Sequence, residues 1–184
     1  MRSVCTYQKG EPASVMLPPQ AAQLPGLIFH LRRSPAVRTA NLSPDETAYF
    51  RRLVTSLSVF ATLVLVQPTL TGYERGRPAA RLTLDPGAMS ADRSLLLDTY
   101  LKIILCHGAN LAQLRRGATA DPELEKLEKA AHDDVERLEG ERFPCPEVFE
   151  CDQYGSKARY LVQKLNPDVP FTTFLQGLYT KVVS

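Results

Sequence analysis

The stretch from Asp152 to Arg159, DQYGSKAR, places a carboxylate, a hydroxyl, an ammonium and a guanidinium in one short polar segment. Arg159 has the most chemical scope. A guanidinium stays charged at every pH a folded protein survives, and its planar fork can contact two oxygens of one phosphate or carboxylate. Gly155 and Ser156 form a flexible lead into a helix expected over about 156–165. Tyr160, Leu161 and Leu165 can anchor that helix, so Arg159 would project from its first turn. Read by residue type alone, an arginine in a first helical turn is solvated or paired with Asp152. His107 closes an apolar run and has two readings: a group titrating near neutrality, or a structural residue hydrogen-bonded where a strand turns into a helix. Arg115-Arg116 reads as a solvated helix end rather than an anion site.

Metal chemistry has little to work with. The candidates are Cys5, Cys106, Cys145 and Cys151 with His30, His107 and His132. The close pair Cys145 and Cys151 has no second pair to complete a tetrahedral site. No metal and no cofactor are therefore expected in this chain, and the cysteines read as reduced thiols, with Cys106 buried. No nucleophile–base pair or phosphate-binding loop is present either. An enzyme acting alone is the least expected class.

The elements that must position these residues centre on Ser94–Gly108, SLLLDTYLKIILCHG. Two short apolar runs, Leu95–Leu97 and Tyr100–Cys106, flank Asp98-Thr99 and predict two buried strands joined by a tight reversal. Gly108 is expected to supply a positive φ on leaving the second strand. A helix should follow over Ala109–Arg116, with Asn110 as a candidate cap. Upstream, Met1–Leu24 is rich in Pro, Gln, Ala and Ser and reads as a connecting segment, followed by a short apolar helix that ends in Arg32 and Arg33. Ser43-Pro44-Asp45-Glu46 has the form of a capping box opening a helix through Leu53. Leu57–Val66, LSVFATLVLV, is apolar on both faces and is expected to be a central strand, with a shorter strand near Ala80–Leu84.

Downstream, Asp121-Pro122 opens a helix whose Leu124, Leu127, Ala131, Val135 and Leu138 form one apolar face. Val148–Cys151 reads as an edge strand, and Phe171–Val183 as a terminal amphipathic helix lying over the sheet. The fold class expected is α+β: a central mixed sheet flanked by helices. The 44% apolar and 23% charged content suits a globular protein rather than a disordered one. Net charge is only +2 and argues against a nucleic-acid partner, although the first 81 residues are basic and 121–142 are acidic. The longest apolar run is about half of a membrane span. No secretory segment follows Met1, so a cytosolic chain is expected.

In order along the chain stand HLRRSP, NLSPDETAYFRR, VLVQP, SADRSLLLDTYLKIILCHG, RFP and GSKARYLVQKLNP. Together, over about residues 9–184, they resemble the C-terminal end of the GTPase-activating subunit of the inner COPII vesicle coat (the Sec twenty-three family). The resemblance implies the end of an all-helical domain with its linker in 1–56 and a gelsolin-like domain in 57–184. It implies a role in ER-to-Golgi vesicle transport on the cytosolic face of the ER, as a peripheral protein. It also implies that Arg159 is the catalytic arginine supplied in trans to the coat's small GTPase, with Ser156 and Lys157 on the phosphate side. By the same resemblance the domain would dock proline-rich segments of outer-coat or export-receptor proteins, for which Tyr73, Tyr100 and Tyr154 are candidates by type. The family's zinc module, trunk domain and β-sandwich have no counterpart in this sequence. The rival class is a gelsolin-like interaction module, binding actin or a proline-rich partner, without GTPase activation.

Overall fold

The computed structural model describes residues 4–38, 42–117 and 121–184; the first residues of the expected connecting segment, 1–3, lie outside them. Its contacts divide the chain into two compact units: Met1–Ser56 with Pro167–Ser184, and Leu57–Asn166.

In the first unit, β1 (Thr6–Gln8) and β2 (Glu11–Met16) pair antiparallel. This corrects the expectation of a structureless lead. Gly10, at φ +83°, makes the reversal, and the Ser14 hydroxyl accepts from the Gln8 amide at 2.7 Å. α1 (Leu24–Arg33) and α2 (Pro44–Ser56) follow. The capping box forms as expected: the Ser43 amide donates to Glu46 Oε2 at 2.7 Å, and the Glu46 amide to Ser43 Oγ at 3.2 Å. The terminal helix, expected to lie over the sheet, belongs to this unit and is packed within it. Its Val182 and Val183 bury against Val15 of β2, and the Gly10 amide donates to the Val183 carbonyl at 3.3 Å. The compact unit that holds the sheet accordingly ends at Asn166, short of the expected 57–184.

The second unit begins with a further correction. Leu57–Val66 is not a strand; Val59–Val66 forms helix α3. A short run so predominantly apolar has no clear period to separate helix from strand. The Ser58 hydroxyl decides it by accepting from the Ala61 amide at 3.2 Å. Next come β3 (Thr69–Glu74), β4 (Ala80–Leu82), β5 (Arg93–Asp98), β6 (Lys102–His107), α4 (Ala109–Arg116), α5 (Pro122–Gly140), β7 (Glu147–Asp152) and α6 (Ala158–Leu165). The sheet order is β4-β3-β5-β6-β7, antiparallel except for the parallel pair β6–β7. This is the mixed sheet of an α+β fold, and β7 is at its edge.

The period of two sorts the strands' side chains onto two faces. Leu70, Leu95, Leu97, Ile104 and Cys106 pack with Ala158, Leu161 and Leu165 of α6. Tyr73, Leu96, Ile103 and Leu105 pack with Leu111 of α4 and with the apolar stripe of α5. Asp98 fixes the β5–β6 turn. It accepts from the Tyr100 amide at 2.8 Å, which holds Tyr100 at φ 71°, and it takes a buried two-pronged contact from Arg142. Among the described residues, no helix is long and apolar enough to cross a membrane.

Candidate functional site

Two polar assemblies stand on the two faces of this sheet, one exposed and one running from a buried serine and histidine out to a carboxylate at the surface. The exposed one is built on α6. The Gly155 amide donates to the Asp152 carbonyl at 2.8 Å and the Ala158 amide to the Gly155 carbonyl at 3.0 Å, so the loop from β7 closes directly into the helix. Ala158, Leu161 and Leu165, spaced three and four apart, are buried and lock α6 against the sheet. Arg159 therefore stands exposed at the start of a rigid element. Its guanidinium lies 5.0 Å from the Tyr160 ring centroid, and Nη2 donates to the Tyr160 hydroxyl at 3.2 Å. That contact pulls the Tyr160 phenol below its ordinary pKa.

Tyr160 in turn stacks on Phe149 of β7, with centroids 5.6 Å apart and planes within 10°. Two lysines complete the group. Lys157 Nζ is 4.2 Å from the Phe149 centroid, and Lys102 Nζ is 5.0 Å from the Tyr160 centroid and 3.0 Å from Glu147. Ser156 is exposed in the same loop. Arg159, Lys157 and Ser156 are thus brought together. Asp152, the carboxylate that residue type would pair with Arg159, is instead engaged by Arg116 of α4. An exposed guanidinium flanked by ammonium groups can neutralise charge developing on a partner's phosphoryl oxygens.

The buried assembly is a chain from Ser94 through His107 to Glu150. The Ser94 hydroxyl donates to His107 Nδ1 at 2.8 Å, and His107 Nε2 donates to Glu150 Oε1 at 2.9 Å. Burial and nearby Arg115 hold the His107 pKa below its usual value, so the ring is neutral and the structural reading of this residue is the one found. Glu150 also accepts from Arg115 at 2.6 Å, and His132 Nε2 lies 3.3 Å from its other oxygen. Burial works to raise the Glu150 pKa, but the three donors overcome it and bring it down to about 2. His132 spends its Nδ1 proton on the Glu128 carbonyl at 2.8 Å, so it can donate to Glu150 only when charged, and its pKa is raised. Ser94 is fully buried, which removes this chain as a nucleophilic triad. Arg115, expected to be solvated, is instead largely covered and pairs with Glu128 and Glu150, whereas Arg116 meets Asp152 and stays exposed as a solvated helix end. Among the described residues, no group of three or more His, Cys, Asp or Glu could hold a metal ion.

Comparison with known proteins places this geometry. Over 173 residues, 90% of this chain, the sequence is 42% identical to "Protein transport protein SEC23 C" of Arabidopsis thaliana. Over this span the chain is similar to Sec23 proteins. A second relative, "Protein transport protein SEC23 F" of the same plant, is 40% identical over 169 residues. The Sec23/Sec24 helical domain matches residues 1–64. The human COPII-coat protein Sec24c shares the fold, with a TM-score of 0.72 over 92% of this chain and 26% of that one, at 19% identity. The chain spans about a quarter of the length of the SEC23 relatives, 23% and 22%.

What sequence reasoning missed at the site is the aromatic platform. Phe149 and Tyr160 stand in different elements, and only the β6–β7 register brings Lys102 beside them. The one available signal was the alternation Phe149, Glu150, Cys151, which sends Phe149 and Glu150 to opposite faces.

Proposed function

We propose that this chain acts in the COPII coat and that Arg159 serves in trans as an arginine finger for the coat's small GTPase. The observation that carries this reading is the exposed guanidinium of Arg159, oriented by Tyr160 and based on a helix whose opposite face is buried. In a GTPase transition state, negative charge spreads over the transferring phosphoryl oxygens, and an arginine inserted by a partner neutralises it. Lys157 and Ser156 lie on the same loop and would face the phosphate side. The reaction belongs to the GTPase, so this chain is an activator rather than an enzyme, and the reading asks no cofactor of it. The setting is cytosolic, with peripheral association at the ER and its vesicles. This setting is what the resemblance to the COPII coat subunit implies.

An arginine finger contributes roughly 10³–10⁵ in rate, or about 4–7 kcal/mol of transition-state stabilisation. The test is to graft residues 57–184 into a complete family subunit and follow GTP hydrolysis at saturating activator. Arg159→Ala should abolish stimulation and leave GTPase binding nearly unchanged, because the contact forms chiefly in the transition state. Arg159→Lys should not restore it, since an ammonium lacks the fork. Stimulation by the alanine graft equal to the parent's would sink the assignment.

A second reading, docking of proline-rich segments, is favoured by one cavity of about 410 Å³ in the second unit, lined by Phe60, Leu96 and Tyr100. Aromatic-lined grooves accept the extended helix of proline-rich segments. Of the three tyrosines proposed by type, Tyr73 is buried, with its hydroxyl on Asp134 at 2.7 Å, and Tyr154 is exposed on the α6 loop. Tyr100 lines the groove.

A further inference from the structure

The first compact unit holds a second feature, which the GTPase reading does not use. Between α1 and the terminal helix α7 (Phe171–Val183) lies a cavity of about 600 Å³, within the size range of binding clefts. Its base is apolar: Phe29 of α1 sits 5.3 Å from Phe174 of α7, ring centroid to centroid, and Leu178 continues the surface one turn on. Its charge is one-sided. Arg38 is spent on Asp168, the only carboxylate of the lining, at 2.7 Å. The other charges that line it, Arg32, Arg33 and Lys181, are all positive. The Arg32 guanidinium lies 5.5 Å over the Phe174 ring and that of Arg33 5.1 Å over Phe29. Aromatic faces orient cations without neutralising them. Arg33 is partly desolvated, which disfavours its charge; nearby Asp168 favours it and Arg38 disfavours it, and the net effect is a lowered pKa.

We propose that this groove docks a short acidic peptide segment of a partner protein, one apolar side chain seated on Phe29 and Phe174 and carboxylates taken by Arg32 and Arg33. Two helices supply the cations: Arg32 and Arg33 lie three and four residues after Phe29 on α1, and Lys181 three after Leu178 on α7. Positions so spaced adjoin on a helix face, so each helix sets a cation beside an apolar side chain, which suits a peptide carrying both apolar and acidic side chains. Gly177 supports the same reading. It sits in the lining at the middle of α7, where a glycine costs about 1 kcal/mol relative to alanine, and a Cβ there would meet nothing within 4 Å. The helix leaves this space open.

The experiment uses the full chain and a panel of fluorescent peptides of about ten residues, each with one Phe or Leu among several Glu, read by anisotropy. Saturable binding in roughly the micromolar range is expected for part of the panel. It should be lost when the Glu residues become Gln or the apolar residue becomes Ser. Gly177→Leu, which fills the groove and adds a good helix former, should weaken binding about tenfold or more while the thermal transition holds. Arg32→Gln with Arg33→Gln should do the same by a separate route. No saturable binding below about 1 mM, or binding indifferent to both variants, overturns the proposal. So does capture of phosphatidylserine vesicles, blocked by Gly177→Leu, with no peptide bound. Arg159 belongs to the other unit, so each outcome is independent of GTPase activation.

Discussion

At the scale of single residues, the Glu150 carboxylate shows how a polar network is both expensive and stabilising. Its oxygens would raise its pKa by burial alone, yet donation from His107, His132 and Arg115 brings it down to about 2. A carboxyl with a lowered folded pKa contributes stability that is present above its unfolded value, near 4.5, and is lost as pH falls toward about 2. His107 acts in the same direction. Buried neutral, it takes up a proton on unfolding, so its contribution is present above 6.5 and declines as pH falls below that. His132 opposes both, since its raised pKa stabilises below 6.5 and is lost as pH rises through the folded value. The expected outcome is a melting-temperature gap between the parent chain and Glu150→Gln that is steady above about pH 5 and closes between about pH 4.5 and 2. A gap that persists unchanged to pH 2 would mean that the carboxylate is not held by these donors. None of this could be read from the sequence, because the donors come from β6, α4 and α5, and nothing in local spacing announces that they converge.

At the scale of elements, Gly108 separates what the sequence makes visible from what it hides. Its position at the end of β6 was legible, but the reason differs from the one expected. Its φ is −61°, an ordinary value, and it is itself the N-cap of α4, while Asn110 donates to Asp92 at 2.7 Å instead of capping. Glycine is required there by proximity: a Cβ would come within 2.3 Å of the Ser90 carbonyl and 2.4 Å of the Ala91 carbonyl. The Ala91 carbonyl cannot retreat, because it accepts from the amides of Asn110 and Leu111 and so ties α4 to the strand before it. Gly108→Ala should therefore destabilise the chain by about 1–3 kcal/mol as an overpacked site, read as a lower denaturation midpoint at unchanged slope. An unchanged midpoint would show that the α4 lead can shift freely. The same contrast runs through the other elements. The α5 stripe, the Ser43 capping box and the β5–β6 hairpin follow from local patterns that tertiary contacts only reinforce. α3 departs from the strand expected there because seven apolar residues in eight fit either element, and one hydroxyl, Ser58, made the difference.

At the scale of the whole chain, the lesson is that sequence order misleads about which elements share a core. The terminal helix follows α6 closely, and its apolar face suggested a lid over the sheet. Its contacts run instead to the N-terminal unit, where Val182 and Val183 meet Val15, and Phe171 and Phe174 meet Phe29. A hairpin of three and six residues buries little by itself, and two short strands alone are marginal in water. The N-terminal unit is therefore held together by a segment distant in sequence, the Arg38–Asp168 ion pair alone spanning 130 residues. Closing so long a loop costs chain entropy that the apolar contacts of one helix must offset. Phe29 is the focus of those contacts, buried between two aromatic rings of α7. Phe29→Ala should remove about 3–5 kcal/mol from this unit by cavity formation. The core of the sheet does not include Phe29; it rests on Leu97, Ile103, Ile104 and Leu161. Hydrogen exchange on the full chain should then show faster exchange over β2 and α7 in the variant, with protection of β5 and β6 unchanged. Uniform loss of protection across both units would mean that they unfold as one, and that the helix holds more than the N-terminal hairpin in place.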